Sequence, residues 1–373
     1  MRYVTLGDVC KKASSNVAQK DILSNDGKYP IYGASGRIKT VNFYHQEQAY
    51  IAIVKDGAGV GRTMLLPEHS SVIGTMQYII PNELVDIKYL YYAIVYMDLA
   101  KYYRGAAIPH IYFKDYQKEL LKLPMLSEQR RIAAIFEKID SIIKRRNLQL
   151  VQLEQAVKSR FIELFVETDE ASEWSYHTIA DVSNDMRTGP FGSALHHDEF
   201  VDSGVFVLGI DNAVENKFSY NRMRYITEEK YQQLKRYTVY PGDVIITIMG
   251  TVGRSAVIPA DMPKAINTKH LACITPNVEM VNAQFLSCAF QIHPNIRTQL
   301  EKQCKGAIMA GLNLTIIKGL SFRIPPISLQ NQFVEFYEQT DKSKYYSQKF
   351  LTLCRSAVNI YEQEWMKCQT LIF

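Results

Sequence analysis

The chain lacks the cysteine spacing that builds a zinc site or a disulfide framework. Its six cysteines form no Cys-x-x-Cys pair, and they lie mostly among apolar residues. We therefore expect reduced, buried or incidental thiols in a cytosolic protein. The stretch His196–Glu199 carries metal-binding side chain types, but one such cluster on a predicted loop is more typical of a polar surface. We expect no metal on this chain.

Long apolar runs are also missing. No run approaches the roughly 18 residues that a membrane-spanning helix needs, and the first eight residues lack the apolar core of a signal peptide. These features predict a cytoplasmic protein with no membrane partner. Hydrophobic residues make up 47% and charged residues 22% of the 373 residues, which is typical of a globular chain with two or three cores.

Three catalytic motifs are absent. The only Pro-Pro pair, Pro325-Pro326, follows Ile324, so the Asn/Asp-Pro-Pro-Tyr/Phe motif of adenine-N6 methyltransferases is missing. Gly27-Lys28 is followed by Tyr29, so no phosphate-binding loop is present. No Pro-Asp pair opens a metal-nuclease motif. We therefore predict a non-enzymatic chain that carries no cofactor.

A strong excess of positive charge is missing as well. The formal net charge is +5, of which residues 1–125 carry +4, whereas residues 170–325 carry none. A nucleic-acid-binding protein can manage with basic surface on one face only. The charge therefore permits DNA binding without requiring it.

What the chain does contain is one internal repeat. Segments of the first half recur about two hundred residues later, in the same order, and each copy leads into a long charged helix pattern. The matching segments are Val60–Arg62 with Val252–Arg254, Arg104–Ala106 with Lys305–Ala307, and Leu123-Pro124 with Ile324-Pro325. A duplicated unit of globule plus helix predicts a pseudo-two-fold molecule with two related surfaces, and not one central catalytic pocket.

Each half is predicted to be an α+β globule, because short β-branched runs alternate with Gly-rich turns and amphipathic helix patterns. The predicted strands are Tyr50–Val54, Ser71–Ile73, Gln77–Ile80, Val205–Leu208 and Val244–Ile248. The predicted helices are Ile87–Tyr102, Ala283–Gln291 and Asn295–Lys302.

Two further helices differ in kind from these. Residues 128–165 and 328–366 contain no Gly or Pro, and their apolar residues recur at spacings of three and four. About 38 residues of helix span roughly 57 Å. The apolar stripes need cover, so we expect the two helices to pack together in an antiparallel, coiled-coil-like pair. The alternative is that each helix packs on its own globule.

The motifs of both halves, taken in order, resemble those of the specificity subunit (HsdS) of type I restriction–modification systems. The resemblance covers essentially the whole chain. The segments that carry it are Tyr29–Gly36, Lys55–Gly57, Val60–Arg62, Leu123-Pro124 and Glu128–Ile132 in the first half, and Thr188–Ser193, Tyr240–Val244, Gly250, Gly253-Arg254 and Ile324–Ile327 in the second. One departure is Leu329-Gln330, where the family usually has Glu-Gln.

The resemblance implies an α+β chain with two pseudo-two-fold related α/β target-recognition domains, separated by two long antiparallel helices. The expected boundaries are 1–125 and 169–325 for the domains, and 126–168 and 326–373 for the helices. Each domain would read one half of a bipartite, asymmetric site in double-stranded DNA. The helices would set the spacing between the two half-sites.

The resemblance also implies partners that carry the chemistry. Two methyltransferase (M) subunits would bind S-adenosylmethionine, and two restriction (R) subunits would use ATP and Mg to cut unmethylated DNA. The expected docking residues on this chain are Glu128, Gln129, Arg130, Arg131 and Gln330. The alternative function is a non-catalytic coiled-coil adaptor without DNA specificity.

Candidate DNA contacts come from glycine turns beside basic or polar residues, which suit close approach to phosphates. In the first domain they are Ser35, Arg37, Lys39, Lys55, Arg62, Arg104 and His110. In the second they are Arg187, Ser193, Arg254, Lys264, Asn267, Lys269, His270 and Lys305. The alternative for each is a solvated surface residue, and the two Val-Gly-Arg turns are alternatively structural hairpins whose arginine braces the fold.

Overall fold

A computed structural model describes residues 2–105, 109–304 and 312–361, with the backbone alone at Ser193, Cys304 and Tyr361. Internal contacts divide the chain into two units. Unit 1 comprises Met1–Leu148 and Ser347–Phe373, and unit 2 comprises Gln149–Tyr346. Each unit therefore combines one globule with parts of both long helices. Within the described ranges, no helix is long and apolar enough to cross a membrane.

The globule of unit 1 contains a four-stranded sheet in the order β2-β8-β5-β6, a three-stranded sheet in the order β4-β3-β7, and the antiparallel pair β1-β9. The strands are β1 Arg2–Thr5, β2 Cys10–Ser14, β3 Tyr29–Gly33, β4 Gly36–Val41, β5 Tyr50–Val54, β6 Thr63–Leu66, β7 Ser71–Val72, β8 Met76–Pro81 and β9 Leu120–Leu123. The helices are α1 Leu6–Val9, α2 Ile87–Tyr96, α3 Phe113–Tyr116 and the long helix α4 Leu126–Phe165, which continues into unit 2.

The globule of unit 2 contains the sheets β11-β18-β15-β16 and β13-β12-β17-β14 and the antiparallel pair β10-β19. Its strands are β10 Tyr176–Thr178, β11 Ser183–Thr188, β12 Val205–Leu208, β13 Tyr225–Ile226, β14 Thr238–Val239, β15 Val244–Thr247, β16 Ser255–Val257, β17 Ala265–Asn267, β18 Leu271–Pro276 and β19 Ser321–Arg323. Its helices are α5 Glu228–Leu234, α6 Ala283–Ile292, α7 Pro294–Cys304, α8 Leu314–Gly319 and the long helix α9 Ile327–Tyr361, which continues into unit 1.

The two globules repeat one topology. The order β2-β8-β5-β6 corresponds strand for strand to β11-β18-β15-β16. In the second sheet, β3 pairs parallel with β7 just as β12 pairs parallel with β17. Helices α2 and α6 follow the corresponding strands β8 and β18. The duplication predicted from a few short motifs therefore extends through both sheets of each globule.

A polar turn at the start of each globule is duplicated as well. In unit 1, the Asp8 carboxylate accepts hydrogen bonds from the Thr5 amide and hydroxyl, both at 2.7 Å. In unit 2, Asp181 accepts the same two bonds from Thr178, at 2.8 and 2.7 Å. These bonds hold the pKa of both exposed carboxyls below the usual value. The Thr-x-x-Asp spacing is present in the sequence at both places.

The long helices pack on both the globules and each other. In unit 1, Phe136 of α4 and Val358 of α9 belong to one apolar core with α2, and the Arg146 guanidinium lies 5.3 Å from the Phe350 ring centroid. Along α4 the chain runs from Phe136 to Arg146, while their neighbours on α9 run backwards from Val358 to Phe350, so the two helices are antiparallel there. In unit 2, Phe161 of α4 packs on Phe333 of α9, with ring centroids 5.3 Å apart. The sequence left two interpretations open, an antiparallel pair of helices or a helix packed on each globule, and each describes part of the observed packing.

Two sequence predictions need correction. The predicted helix Ile87–Tyr102 ends at Tyr96, because Asp98 has a left-handed φ of 48°, and only a short 3-10 turn follows. The Gly-rich turn predicted at Tyr32–Gly36 is shorter than expected, because Tyr32 and Gly33 end β3 and Gly36 begins β4, which leaves Ala34 and Ser35 as the turn. The other predicted strands and helices match observed elements to within one or two residues, and residues 362–366 of the predicted helix 328–366 lie outside the described residues.

Candidate nucleic-acid interface

Three loops of unit 1 meet on one face. The Arg62 guanidinium donates to the Ala34 carbonyl at 2.6 Å, which ties the turn after β5 to the β3–β4 turn. The Gly57 amide donates to the Pro109 carbonyl at 2.9 Å, and the backbones of Arg104 and His110 pair with each other. We define the unit 1 loop face as Ala34–Arg37, Lys55–Arg62, Arg104-Gly105 and Pro109-His110.

The unit 1 loop face gathers six of the seven first-domain candidates: Ser35, Arg37, Lys55, Arg62, Arg104 and His110. Ser35 and Arg37 are exposed, and the Arg104 side chain is 66% exposed although it pairs with Asp115 at 3.3 Å. Lys55 and His110 are about a quarter exposed and share Asp56 as a partner. The face therefore presents cations to solvent and anchors two of its polar groups on one carboxylate.

Lys39, the seventh candidate, is held elsewhere. Its ammonium group lies 2.7 Å from the Asp26 carboxylate and donates to the Leu23 carbonyl at 3.3 Å. These contacts give Lys39 a role in bracing the strand β4 against the preceding loop. The proposed interface below does not include it.

The twin Val-Gly-Arg turns form the same backbone hairpin in both units. The Val54 amide donates to the Arg62 carbonyl at 2.9 Å, and the Thr247 amide donates to the Arg254 carbonyl at 2.8 Å. Gly61 and Gly253 have φ values of +85° and +82°, a left-handed region that side chains disfavour. The structural interpretation of these turns is thus right for their backbone in both units. Arg62 also braces the fold through its side chain, whereas the Arg254 side chain has no such bond to any residue that the structure describes.

Several loops of unit 2 also meet on one face. The Ile248 amide donates to the His270 carbonyl at 3.0 Å, and the Thr268 amide donates to the Leu208 carbonyl at 3.1 Å. Arg224 packs on Gly209, where an added Cβ would lie 2.4 Å from its Nη1 atom, and pairs with Asp211. We define the unit 2 loop face as Leu208–Asp211, Arg224, Ile248–Arg254 and Thr268–His270.

Three second-domain candidates lie on the unit 2 loop face: Arg254, Lys269 and His270. Arg254 and Lys269 are exposed, and within the described part of the chain neither side chain is hydrogen-bonded or ion-paired. His270 is partly buried, and its pKa is lowered by desolvation and by the positive charges of Lys269 and Arg224. His270 is therefore a neutral hydrogen-bonding group near pH 7, flanked by cations.

Sequence reasoning missed Arg224. Arg224 directly precedes β13, and its carbonyl accepts a hydrogen bond from the Val207 amide of β12 at 2.9 Å, which places Arg224 beside the end of β12 on this face. No glycine turn adjoins Arg224 in the sequence, and its contacts Gly209 and Asp211 precede it by 15 and 13 residues, so the motif pattern did not indicate them.

Arg187 and Asn267 are engaged inside unit 2, and the exposed Lys264 is ion-paired on its surface. The Arg187 guanidinium donates to the Thr238 carbonyl, to Asp185, to Thr275 and to the buried Asp243 carboxylate, and its side chain is only 12% exposed. Lys264 pairs with Glu228 at 3.0 Å. Asn267 is fully buried and donates to the Leu271 carbonyl at 3.2 Å. The side chain of Ser193 and all of Lys305 lie outside the described residues.

The expected docking residues divide into surface and interior. Arg130 and Arg131 are about 70% exposed, and Arg131 pairs with Glu128 at 2.7 Å. Gln129 and Gln330 are fully buried, so the structure gives these two an internal role. Of the five expected docking residues, Glu128, Arg130 and Arg131 are therefore the ones that a partner protein can reach.

Gln129 and Gln330 form the same clamp in both units. The Gln129 amide oxygen accepts from the Asp86 amide at 2.7 Å, and its nitrogen donates to the carbonyls of Leu84 and Pro124 at 3.0 and 2.9 Å. The Gln330 oxygen accepts from the Asn282 amide at 2.8 Å, and its nitrogen donates to the carbonyls of Met280 and Pro325 at 3.0 and 2.8 Å. Asp86 and Asn282 cap α2 and α6. The departure at Leu329 leaves this clamp intact.

The described residues hold no group of three or more His, Cys, Asp or Glu side chains arranged to bind a metal. The stretch His196–Glu199 instead forms a short turn in which Glu199 accepts from the His196 amide at 2.7 Å and pairs with Lys230. The two loop faces therefore present cations, hydroxyls and imidazoles, which are the side chains that contact phosphates and bases.

Comparison with known proteins gives a consistent family. The sequence profile of the type I restriction modification DNA specificity domain matches twice, over residues 1–155 and 172–349. A type I restriction enzyme EcoBI specificity subunit from Escherichia coli is 26% identical over 262 residues, which are 63% of this chain and 54% of that protein. The MjaVIII specificity subunit from Methanocaldococcus jannaschii is 22% identical over 276 residues, or 70% of this chain and 64% of that protein. The alignments thus span between about half and two thirds of these relatives.

Solved structures share the fold. The S subunit of a type I restriction–modification system from M. genitalium aligns with 99% of this chain and 96% of its own, with 14% identity and a TM-score of 0.67. A chain from a study of complex assembly and conformational transition of the type I R-M system aligns over 99% of this chain and 98% of its own, with 15% identity and a TM-score of 0.58. With the profile matching both halves, the chain belongs to the type I restriction–modification DNA specificity family.

Proposed function

We propose that each loop face reads one half of a bipartite, asymmetric site in double-stranded DNA for a type I restriction–modification complex. The observation that carries the proposal is one topology, used twice, whose loop faces share the Val-Gly-Arg turn and otherwise present different side chains. Arg37, Lys55, Arg62 and Arg104 serve unit 1. Arg224, Arg254 and Lys269 serve unit 2. Equal scaffolds with unequal side chains suit two different base sequences.

The long helices in this proposal hold the two half-site readers apart and dock two methyltransferase (M) subunits. Exposed apolar side chains on α9, namely Phe350, Leu353 and Ile360, support a docking role, because they recur at helical spacing on one face and an exposed apolar stripe is typical of an interaction surface. Glu128, Arg130 and Arg131 at the start of α4 add a charged surface. Gln129 and Gln330 contribute from inside by fixing the helix starts.

The chemistry in this proposal belongs to the partners. Each methyltransferase subunit supplies S-adenosylmethionine and extrudes an adenine from the duplex, a costly step that the grip on both half-sites offsets. Two restriction (R) subunits supply ATP and Mg and cut unmethylated DNA. This chain contributes recognition, with no catalytic residue of its own.

The salt dependence of DNA binding distinguishes the proposed function from the rival one, a coiled-coil adaptor without DNA specificity. DNA binding by a cationic face releases counterions, so log K should fall with log salt by roughly 0.9 for each phosphate neutralised. We expect such a slope when the chain, co-purified with its methyltransferase, binds random duplex in an electrophoretic assay. Binding that is absent, or that does not change with salt, would favour the adaptor.

The methylome gives the direct test in the source organism. Deletion of this gene should remove one split, asymmetric adenine-methylation motif and leave other methylation unchanged. An unchanged methylome in a strain that expresses the chain and its methyltransferase would contradict the proposal.

A further inference from the structure

Each unit contains a groove in the same place. In unit 1, a groove of about 640 Å³ lies between β6, α2 and α4. In unit 2, a groove of about 340 Å³ lies between β16, α6 and α9. Strands β6 and β16 are corresponding edge strands of the two four-stranded sheets, and the glutamine clamps fix α4 and α9 against α2 and α6. We call these the unit 1 groove and the unit 2 groove.

Two carboxylates line both grooves at equivalent positions. Glu137 and Asp140 stand eight and eleven residues after the clamp residue Gln129, and Glu338 and Asp341 stand eight and eleven residues after Gln330. Neighbouring surface positions differ between the copies: Lys138 corresponds to Gln339, Ser141 to Lys342 and Lys144 to Tyr345. The duplication has therefore kept the two acidic groups while the surface around them diverged.

Contacts inside the units do not explain why both copies keep these carboxylates. Glu137 pairs with Lys88 at 2.7 Å, but the position equivalent to Lys88 is Gln284, and Glu338 has no bonded partner among the described residues. Surface pairs of this kind contribute little to stability.

Asp140 and Asp341 likewise have unrelated internal partners. Asp140 accepts from the Tyr92 hydroxyl at 3.1 Å, whereas Asp341 pairs with Lys217 at 2.7 Å. A shared requirement must come from outside the chain, since the two units use different internal partners.

The grooves fit a cation on an apolar stem. Tyr91 and Met64 line the unit 1 groove, and Phe218 and Tyr337 line the unit 2 groove. Apolar and aromatic walls hold the methylene stem of a lysine or arginine, and paired carboxylates accept its charged end. Cations also line both grooves, Lys144 and Arg145 in unit 1 and Lys217 and Lys342 in unit 2. They occupy non-equivalent positions, so the carboxylates are the charges that the two grooves hold at matching positions.

We infer that the two grooves bind the same arginine- or lysine-bearing segment of one partner protein, which is present in two copies. The inference rests on the proposed function in identifying that partner as the methyltransferase subunit. One segment that docks twice explains why one pair of acidic groups is kept in two places, because both copies of the partner present identical chemistry.

Site-specific crosslinking tests the occupant without removing the carboxylates. A benzophenone amino acid replaces Ser141 in one complex and Lys342 in another, because these equivalent positions line the two grooves. Each full-length chain is co-expressed with its methyltransferase and irradiated. We expect both positions to label one methyltransferase peptide that contains a basic residue. Labelling of two different peptides, or of a second copy of this chain, would overturn the inference.

Charge neutralisation tests the carboxylates by stoichiometry. Each pair of substitutions should lower the affinity of its own groove about tenfold. At a protein concentration between the wild-type and variant Kd, native mass spectrometry should therefore find two methyltransferase copies on the wild-type chain and one on Glu137→Gln/Asp140→Asn. It should find none when Glu338→Gln/Asp341→Asn is added. The control, Glu154→Gln/Glu335→Gln, removes two exposed helix carboxylates outside the grooves and should keep two copies.

The remaining outcomes of that experiment are decisive as well. Two copies on the fourfold variant, with unchanged affinity and unchanged thermal unfolding, would overturn the inference and leave the proposed function standing. A wild-type chain that binds no methyltransferase would overturn the proposed function itself.

Discussion

At the scale of single residues, the structure separates side chains that the sequence presents as alike. Arg187 and Arg254 are both arginines beside glycine turns, and both were predicted to contact DNA. Arg187 is 12% exposed and bonded to Asp243, whose side chain is 1% exposed, whereas Arg254 is exposed. Sequence patterns do not reveal this difference, because the partner Asp243 is brought in by a distant strand.

The two arginines should respond differently to truncation. Arg187→Ala leaves the Asp243 carboxylate buried without its partner, so we expect a loss of about 3–5 kcal/mol in the free energy of unfolding. Arg254→Ala should leave that free energy within about 0.5 kcal/mol and lower the salt slope of DNA binding by about one. Urea unfolding and electrophoretic binding measure the two effects. Equal stability of the two variants would contradict this assignment.

The buried glutamines provide a second residue-scale prediction. Gln129→Ala and Gln330→Ala each remove three hydrogen bonds to backbone groups. Because those groups stay buried, each change should lower the free energy of unfolding by about 2–4 kcal/mol. Gln332→Ala, an exposed neighbour on α9, serves as the control and should change it by less than about 0.5 kcal/mol. A control-sized effect at Gln129 would rule out the clamp.

His293 makes unit 2 sensitive to acid. It is 6% exposed, packs against the Phe322 ring at 5.1 Å, and burial lowers its pKa from 6.5 to about 4. The unfolded chain therefore binds a proton as pH falls below 6.5 while the folded chain does not, and stability is lost between pH 6.5 and 4. Between pH 7 and pH 5 we expect a loss of about 2 kcal/mol.

Unit 1 supplies the control substitution for that pH effect. Met97 ends α2 where His293 ends α6, so His293→Met copies the residue that the other unit already uses. Urea unfolding of this variant should lack the loss of about 2 kcal/mol between pH 7 and pH 5. A variant with the wild-type pH dependence would show that another group is responsible.

At the scale of elements, the twin turns after β5 and β15 depend on left-handed glycines. Gly61→Ala would place a Cβ 2.7 Å from the Ala100 amide nitrogen, in addition to the strained φ, so we expect a loss of about 2–4 kcal/mol in unfolding free energy. Gly253→Ala would place a Cβ at ordinary van der Waals distances, 3.5 Å from the Leu300 side chain and 3.9 Å from the Arg297 guanidinium, and should cost about 1–2 kcal/mol.

A third glycine calibrates that comparison. Gly319 ends α8, has no positive φ and has open space around it, so Gly319→Ala should change the unfolding free energy by less than about 1 kcal/mol. Thermal or urea unfolding of the three variants gives the ranking. The same cost at Gly253 and Gly61 would contradict the contact with Ala100.

Elements with strong local patterns were predictable from the sequence. The run Tyr50–Val54 is a strand with the predicted bounds, and the Gly- and Pro-free stretch from 128 to 165 lies within one helix. The strands β10 and β19 were not predicted, because their three residues each are fixed by pairing across the chain and not by local pattern. Within the candidate site, the turn residues were found and Arg224 was not.

At the scale of the whole molecule, duplication is the organising fact. One topology, one glutamine clamp, one threonine–aspartate turn and one groove each occur twice. The loop faces share the Val-Gly-Arg turn and otherwise present different side chains in the two copies. Such a molecule suits the recognition of two different base sequences on one duplex by one scaffold. Its partners would bind the features that both copies share.

The central claim is that each unit specifies its own half of the DNA site. The most direct measurement is the adenine methylome of a host without such methylation, in which the chain is expressed with its methyltransferase in three forms. These are the wild type, Arg37→Ala/Arg62→Ala in unit 1, and Arg254→Ala/Lys269→Ala in unit 2. We expect one split, asymmetric motif for the wild type, relaxed in one half only by the first variant and in the other half only by the second. A continuous motif, or two variants that relax the same half, would contradict it.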